Sequence, residues 1–218
     1  MALTLLIIPV FNCGESTVLL VNEIKKKHPY LPILIINDGS TDNSKFCLSS
    51  LDLTIITYSE NQGKGAALQS GFNYAIQNGF EFVITMDGDG QHASADLTGF
   101  LEADGDICIG KREFKPGVMP LARIFSNSVS SALLSLACKK KIGDAQCGYR
   151  KIKLSFMADF IGSLKGFQFE TELIIHIAKI KNGKVVNVPV QTIYGKEKSN
   201  INHVRDTIEF IRLLRRAF

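Results

Sequence analysis

Up to Lys111 the chain alternates short β-rich apolar runs with stretches whose apolar positions recur at helical spacing, and this rhythm limits the fold more than any other feature. The runs Leu3–Val10, Ile33–Asn37, Leu53–Tyr58, Phe82–Met86 and Asp106–Ile109 read as strands. Between them Thr17–Lys27, Asp42–Leu51, Gly65–Asn78 and Ala95–Ala103 read as helices. The third of these gathers Leu68, Phe72, Ala75 and Ile76 on one face and ends near Gly79. A βαβαβαβαβ order implies an α/β fold, a Rossmann-like, mostly parallel sheet with helices on both faces. Beyond Lys111 the rhythm changes. A long helix, about Leu121–Ala137, sets Leu121, Phe125, Val129, Leu133 and Leu136 on one stripe. An irregular Gly-containing patch, Gly143–Arg150, follows. Then come helices around Ser155–Gly162 and Glu170–Lys181, a strand at Val185–Ile193, and a last helix, about Asn202–Phe218, with Val204, Ile208 and Ile211 inward.

A length of 218 residues suits one core, and neither a repeat nor a clear linker divides it. With 45% hydrophobic and 21% charged residues the composition is that of a soluble globular protein. No apolar run approaches the roughly 18–20 residues of a membrane helix. Met1–Val10 lacks a basic flank and meets Pro9, so it reads as a strand rather than a signal peptide. Cys13, Cys47, Cys108, Cys138 and Cys147 are odd in number and widely spaced, which points to reduced thiols, a cytoplasmic location and no structural zinc. A net charge of +4 is too mild to argue for nucleic acid. Lys139-Lys140-Lys141 and the stretch carrying Lys196, Lys198, Arg205, Arg212, Arg215 and Arg216 suit an anionic lipid surface or a phosphate, or simply solvated helix ends.

In open parallel sheets ligands bind at the carboxyl ends of the strands. Four polar loops follow the first four strands: Pro9-Val10-Phe11-Asn12 with Glu15 behind it, Asn37-Asp38-Gly39-Ser40-Thr41-Asp42, Asn61-Gln62-Gly63-Lys64-Gly65, and Asp87-Gly88-Asp89-Gly90-Gln91-His92. Together at one sheet edge they make a site. Asp87 and Asp89, one glycine apart after a buried strand, crowd negative charge, and a hard divalent cation shared with phosphate oxygens relieves it; Gln91 adds a neutral oxygen. A plain Asp-Gly turn is the bland alternative. Asp38 is placed to accept from a base or ribose, and the Asn61–Gly65 loop, with Lys64, opens a helix where an anion fits. This loop is neither a Walker A loop nor G-x-G-x-x-G. Arg112 and Arg123 suit phosphate, although Arg123 also fits an ordinary exposed helix position. Asp144 is a candidate general base or an Asx-turn residue, Glu170 and Glu172 favour a helix start, and His92 abuts the acidic pair.

These loops, with Asp144–Arg150, Phe169-Glu170…Glu172-Leu173, Val188-Pro189-Val190 and Lys198-Ser199…Arg205-Asp206, resemble the family 2 inverting glycosyltransferases of GT-A fold, most of all their dolichyl- and polyprenyl-phosphate sugar transferase branch. The resemblance covers nearly the whole chain. It implies one GT-A domain over residues 1–218, with a nucleotide-sugar-binding half at 1–110 and an acceptor-binding half at 111–218. It further implies that Pro9, Phe11, Asn12, Glu15, Asp38, Gly39, Ser40, Asn61, Lys64 and Gly65 surround the donor. Gly88 then joins the donor-binding residues; Asp87, Asp89 and Gln91 hold Mg²⁺ or Mn²⁺ on the diphosphate, Arg112 and Arg123 meet phosphates, and Ser199 and Arg205 close over the site. The chain departs from the pattern at Asn37, which replaces a second acid, and in having no hydrophobic extension after Phe218, so anchoring would come from peripheral contact or a membrane partner protein.

Two acceptors separate by chemistry. A lipid monophosphate, with a second pKa near ~6, is already nucleophilic at neutral pH and needs cationic residues to hold it. A sugar hydroxyl on a glycan needs a base, for which Asp144 is the candidate. The basic final helix favours the lipid phosphate. A non-catalytic nucleotide-binding module is the third reading, and it has no need of the acidic pair.

Overall fold

The structure, a computed structural model, describes residues 3–114, 119–160, 168–191, 193 and 210. The elements in chain order are β1 (Thr4–Val10), α1 (Gly14–Lys27), β2 (Ile33–Asn37), α2 (Ser44–Leu48), β3 (Thr54–Thr57), α3 (Lys64–Gln77), β4 (Phe82–Thr85), α4 (Leu97–Glu102), β5 (Ile107–Arg112), α5 (Leu121–Cys138), β6 (Arg150–Lys153), α6 (Gln168–Ile175) and β7 (Val185–Val190). They build a seven-stranded sheet in the order β3-β2-β1-β4-β6-β5-β7. The pairs β1–β2, β1–β4, β2–β3 and β5–β7 are parallel, whereas β6 runs antiparallel to both β4 and β5.

The near-continuous apolar runs are what a sheet covered on both faces requires. Side chains of β1 alternate across it. Leu5 and Ile7 join Leu34, Ile36, Leu68, Phe72 and Val83 under α3, while Leu6, Ile8 and Val10 join Leu20, Val21, Ile24, Ile35 and Phe100 under α1 and α4. Each such fully buried aliphatic side chain contributes roughly 1.5–3 kcal/mol of transfer free energy.

Three expectations change. The irregular patch Gly143–Arg150 leads into a strand, β6, that the apolar rhythm does not predict. Its Lys151 Nζ donates to the carbonyls of Leu101 (3.2 Å) and Ala103 (2.8 Å) at the end of α4, so a basic residue is buried without being left unpartnered. Of the helix expected around Ser155–Gly162, the described residues, up to 160, form a 3₁₀ turn at Leu154–Phe156, and α6, described from Gln168, passes into a π-helical turn, His176–Ile180. The long helix α5 is turned the opposite way from an ordinary amphipathic helix. Its apolar stripe faces solvent, and Asn127, Ser130, Ser131, Leu134, Ala137 and Cys138 are buried. The inward serines are satisfied: Ser131 Oγ accepts from Ala145 N–H (2.9 Å), Ser130 Oγ from Gln146 Nε2 (3.2 Å) and Ser135 Oγ from Ile142 N–H (3.0 Å). Ser199, Arg205 and, apart from residue 210, the expected last helix lie outside the described residues.

Candidate active site

The carboxyl ends of β1, β2, β3 and β4 bring the four polar loops to one edge, as the sequence requires. The first two are tied together. Asn12, at φ 56°, donates its N–H to Ser40 Oγ (3.0 Å) and accepts from Thr41 N–H at Oδ1 (2.8 Å), and Asn43 Nδ2 donates to Glu15 (3.2 Å). Asp38 ties the second loop to the third: its oxygens accept from Gln62 N–H (2.7 Å) and Gly63 N–H (2.9 Å), and Asn61 Nδ2 donates to its carbonyl (3.2 Å). Asp38 is only 3% exposed and each of its oxygens accepts one backbone N–H, so it shapes the loop. Gly39 is confined by the same contact. It has φ +64°, and a Cβ there would lie 2.2 Å from the Glu60 carbonyl carbon, which no side chain allows. Pro9 is the penultimate residue of β1, and Phe11 lies exposed just beyond the strand.

The acidic pair divides. Lys64, at the start of α3, places Nζ 2.6 Å from Asp87 Oδ1 and 3.1 Å from Glu170 Oε2, and Arg150 Nη1 lies 2.9 Å from Glu170 Oε1. His92 Nε2 stands 3.5 Å from Asp87 Oδ2 and packs edgewise on Tyr149. Burial alone would push the Asp87 carboxyl up, but Lys64 and His92 outweigh it and hold Asp87 well below the usual carboxylate range. Burial likewise pulls on Lys64, and Asp87 with Glu170 more than reverses it, keeping the ammonium charged. Asp89 is the opposite case. Burial, then the charge of Asp87, raises its carboxyl; one oxygen accepts Gln91 N–H (3.0 Å), and no ion pair reaches it among the described residues. Gly88 links the pair, and its carbonyl accepts from Ser16 Oγ (2.9 Å) and Thr17 Oγ1 (3.0 Å) of α1.

This donor set fits a hard divalent cation at Asp89, the carboxylate short of positive charge, with the Gln91 amide beside it, while Asp87 is already paired with Lys64. Among the described residues no cluster of three or more His, Cys, Asp or Glu side chains surrounds a common point. A metal here would therefore take most of its ligands from diphosphate oxygens and water, as Mg²⁺ does.

A second group stands where β5 ends. Arg112 donates from Nε to Asp144 Oδ2 (2.6 Å) and from Nη2 to Oδ1 (2.9 Å), a bidentate pair, and Gln146 N–H also reaches Oδ1 (3.2 Å). Asp144 is 0% exposed. With its amide oxygen turned toward it, Asn127 of α5 accepts from Arg112 Nη2 at 3.2 Å. Arg123 lies exposed in the first turn of α5. The residues that sequence reasoning missed are Glu170 and Arg150, taken there as a helix-start acid and a loop end. The discernible signal was a charge set directly against apolar neighbours, as in Tyr149-Arg150-Lys151-Ile152 and Phe169-Glu170. An open concavity lined by Lys25, Pro32, Asp52, Tyr74 and Phe80 lies at the opposite, amino ends of β1–β3 and holds none of these groups.

Residues 5–140 match the family described as Glycosyl transferase family 2. The polyprenol monophosphomannose synthase of Mycolicibacterium smegmatis is 27% identical over 94% of this chain and 84% of its own length. The UDP-N-acetylglucosamine–dolichyl-phosphate N-acetylglucosaminyltransferase of Methanococcus voltae is 29% identical over 87% and 85%. Glucosyl-3-phosphoglycerate synthase from Mycobacterium tuberculosis, solved with Mn²⁺, uridine diphosphate and phosphoglyceric acid, superposes with TM-score 0.77 and 13% identity over 99% of this chain and 78% of that one, which shows the shared fold. With a matching family over more than half its length and a sheet of the same architecture, the chain belongs to glycosyl transferase family 2.

Proposed function

We propose that the protein transfers a sugar, with inversion, from a UDP- or GDP-sugar to the phosphate of a polyprenyl or dolichyl lipid, working at the cytoplasmic face of a membrane. The observation that carries the choice of acceptor is the Arg112–Asp144 pair. A hydroxyl acceptor needs a base, and the carboxylate placed to be one is buried with both oxygens bonded to a guanidinium. A phosphate needs no base; it needs a cation held in a fixed direction, and Asp144 fixes Arg112. Relatives named for polyprenyl- and dolichyl-phosphate transfer support the same reading.

In this reading Asn12, Glu15, Ser40 and the Asn61–Gly65 loop frame the nucleoside, Asp38 and Gly39 hold that frame in shape, and Lys64 fixes Asp87 beside Asp89. Arg112 orients the acceptor phosphate toward the anomeric carbon, and Arg123 lies on the approach. Asp89, with Gln91, would hold Mg²⁺ or Mn²⁺, which when bound neutralises charge on the leaving nucleoside diphosphate. Ser199 and Arg205 would close over the site.

The test is transfer of labelled sugar from UDP- and GDP-sugars, with Mn²⁺, to polyprenyl phosphate and to the matching polyprenol alcohol. Label in the lipid extract with the phosphate alone is expected. Transfer to the alcohol, or to neither, would overturn the proposal.

A further inference from the structure

The exposed stripe of α5 is unusual for a helix packed on a sheet. Leu121, Phe125, Val129, Leu133 and Leu136 are 70%, 72%, 40%, 36% and 66% exposed, and their spacing sets them on one side of the helix. The stripe runs about 22 Å along the axis at 1.5 Å per residue. The helix is not rolled by accident, because its other side is fastened through Asn127, Ser130, Ser131 and Ser135 to the Asp144–Gln146 loop and to Ile142. Polar contacts therefore hold the apolar side outward, where it is costly in water.

Charge identifies what covers it. The helix contains no acidic residue, and its single charged side chain is Arg123, exposed in the first turn. Lys139 and Lys141, both exposed, with Lys140 between them, follow its last turn. An apolar ridge with cations at both ends matches an anionic bilayer, whose headgroups meet the cations while the acyl boundary takes the ridge. No helix among the described residues is long and apolar enough to cross a membrane, and a face of this kind would bring the chain to a lipid acceptor. We infer that α5 is a peripheral membrane-docking helix, its stripe seated in the interface of an anionic bilayer and its amino end, with Arg123, at headgroup level beside Arg112. The inference rests on the lipid-phosphate reading for its purpose but stands on the exposure and charge of α5.

The full chain is sedimented with vesicles of phosphatidylcholine and with vesicles of phosphatidylcholine mixed with phosphatidylglycerol. Wild-type protein should bind the mixed vesicles, and Phe125→Asp/Leu136→Asp should bind them at least about tenfold more weakly. The control Leu19→Asp/Phe46→Asp, at equally exposed apolar positions on α1 and α2, should bind like wild type. Circular dichroism and calorimetry with UDP or GDP plus Mn²⁺ verify that each variant is folded. No binding by the wild type, unchanged binding by the α5 variant, or equal loss in the control would overturn the inference. So would a wild-type dimer in sedimentation velocity that the α5 variant dissolves while vesicle binding persists, which would assign the face to a second copy. If vesicle binding behaves as stated and neither nucleotide binds, it is the transferase reading that fails and not the docking helix.

Discussion

Asp87 and Asp89 look equivalent in the sequence and are not. Lys64 and His92 stabilise Asp87 as an anion, whereas burial and the charge of Asp87 disfavour the anion of Asp89. A carboxyl whose folded-state pKa is raised contributes stability that is full below its unfolded value, near 3.8, and lost as pH rises through the folded value. At neutral pH without metal, Asp89→Asn should therefore raise Tm, by roughly 2–4 °C for each kcal/mol recovered in a chain of this size, and the gap to wild type should close as pH falls. The same variant should lose metal-dependent nucleotide binding in calorimetry. Asp87→Asn should act in reverse, removing one of the two acids that hold Lys64 at 2.6 and 3.1 Å and costing about 1–3 kcal/mol in denaturant unfolding. Equal shifts of one sign would show that the two acids are not divided. Asp144→Asn gives a third case. If Asp144 orients Arg112, the variant raises KM for the acceptor and leaves the acid limb of the kcat–pH profile in place; disappearance of that limb would restore Asp144 as the base. The acidic pair was legible because a carboxylate after a buried strand is visible locally. Glu170 and Arg150 were not, because Glu170 meets Lys64, and Arg150 meets Glu170, from the other half of the chain.

At the scale of elements, the strands and helices up to β5 were legible to within a few residues, since a parallel sheet covered on both faces writes itself as apolar runs with helical spacers. Past β5 the code weakens for identifiable reasons. Arg150, Lys151 and Lys153 make β6 look like a solvated loop, yet a carboxylate, two carbonyls and the ring of Phe82 accommodate two of those charges. In α5 the serines look like the solvent side and the leucines like the core side, and hydrogen bonds decide otherwise. Hydropathy and structure therefore predict opposite ranks for two substitutions. Ser131→Ala leaves the buried Ala145 N–H without its acceptor and should cost about 1–3 kcal/mol. Phe125→Ser removes a side chain in water and should change stability by no more than about 0.5 kcal/mol. Urea denaturation of both variants checks the order, and a large cost for Phe125→Ser would mean that the stripe packs on something in the isolated protein.

At the scale of the whole molecule, β6 enters between β4 and β5, so the proposed donor half and acceptor half share one sheet rather than meeting as two bodies. The consequence is that Asp87, after β4, and Arg112, ending β5, flank the same inserted strand, and Arg150 at its start reaches Glu170, which in turn holds Lys64. Filling the donor side should thus stiffen the entire sheet edge and raise the stability of the single cooperative unit. A ligand at about a hundred times its Kd adds roughly 2.7 kcal/mol, which corresponds to about 5–10 °C in Tm for a chain of this size. That increment should appear with UDP or GDP only when Mn²⁺ is present, because the diphosphate otherwise faces Asp89, to which no cation is paired among the described residues. It should vanish in Asp89→Ala and survive in Arg112→Lys, which keeps the charge on the acceptor side while losing the bidentate hold on Asp144. Calorimetric melting with nucleotide alone, Mn²⁺ alone and both together separates the cases. Stabilisation by nucleotide without metal would mean that Lys64 and Arg112 carry the diphosphate themselves and that the acidic pair serves the fold rather than the transfer.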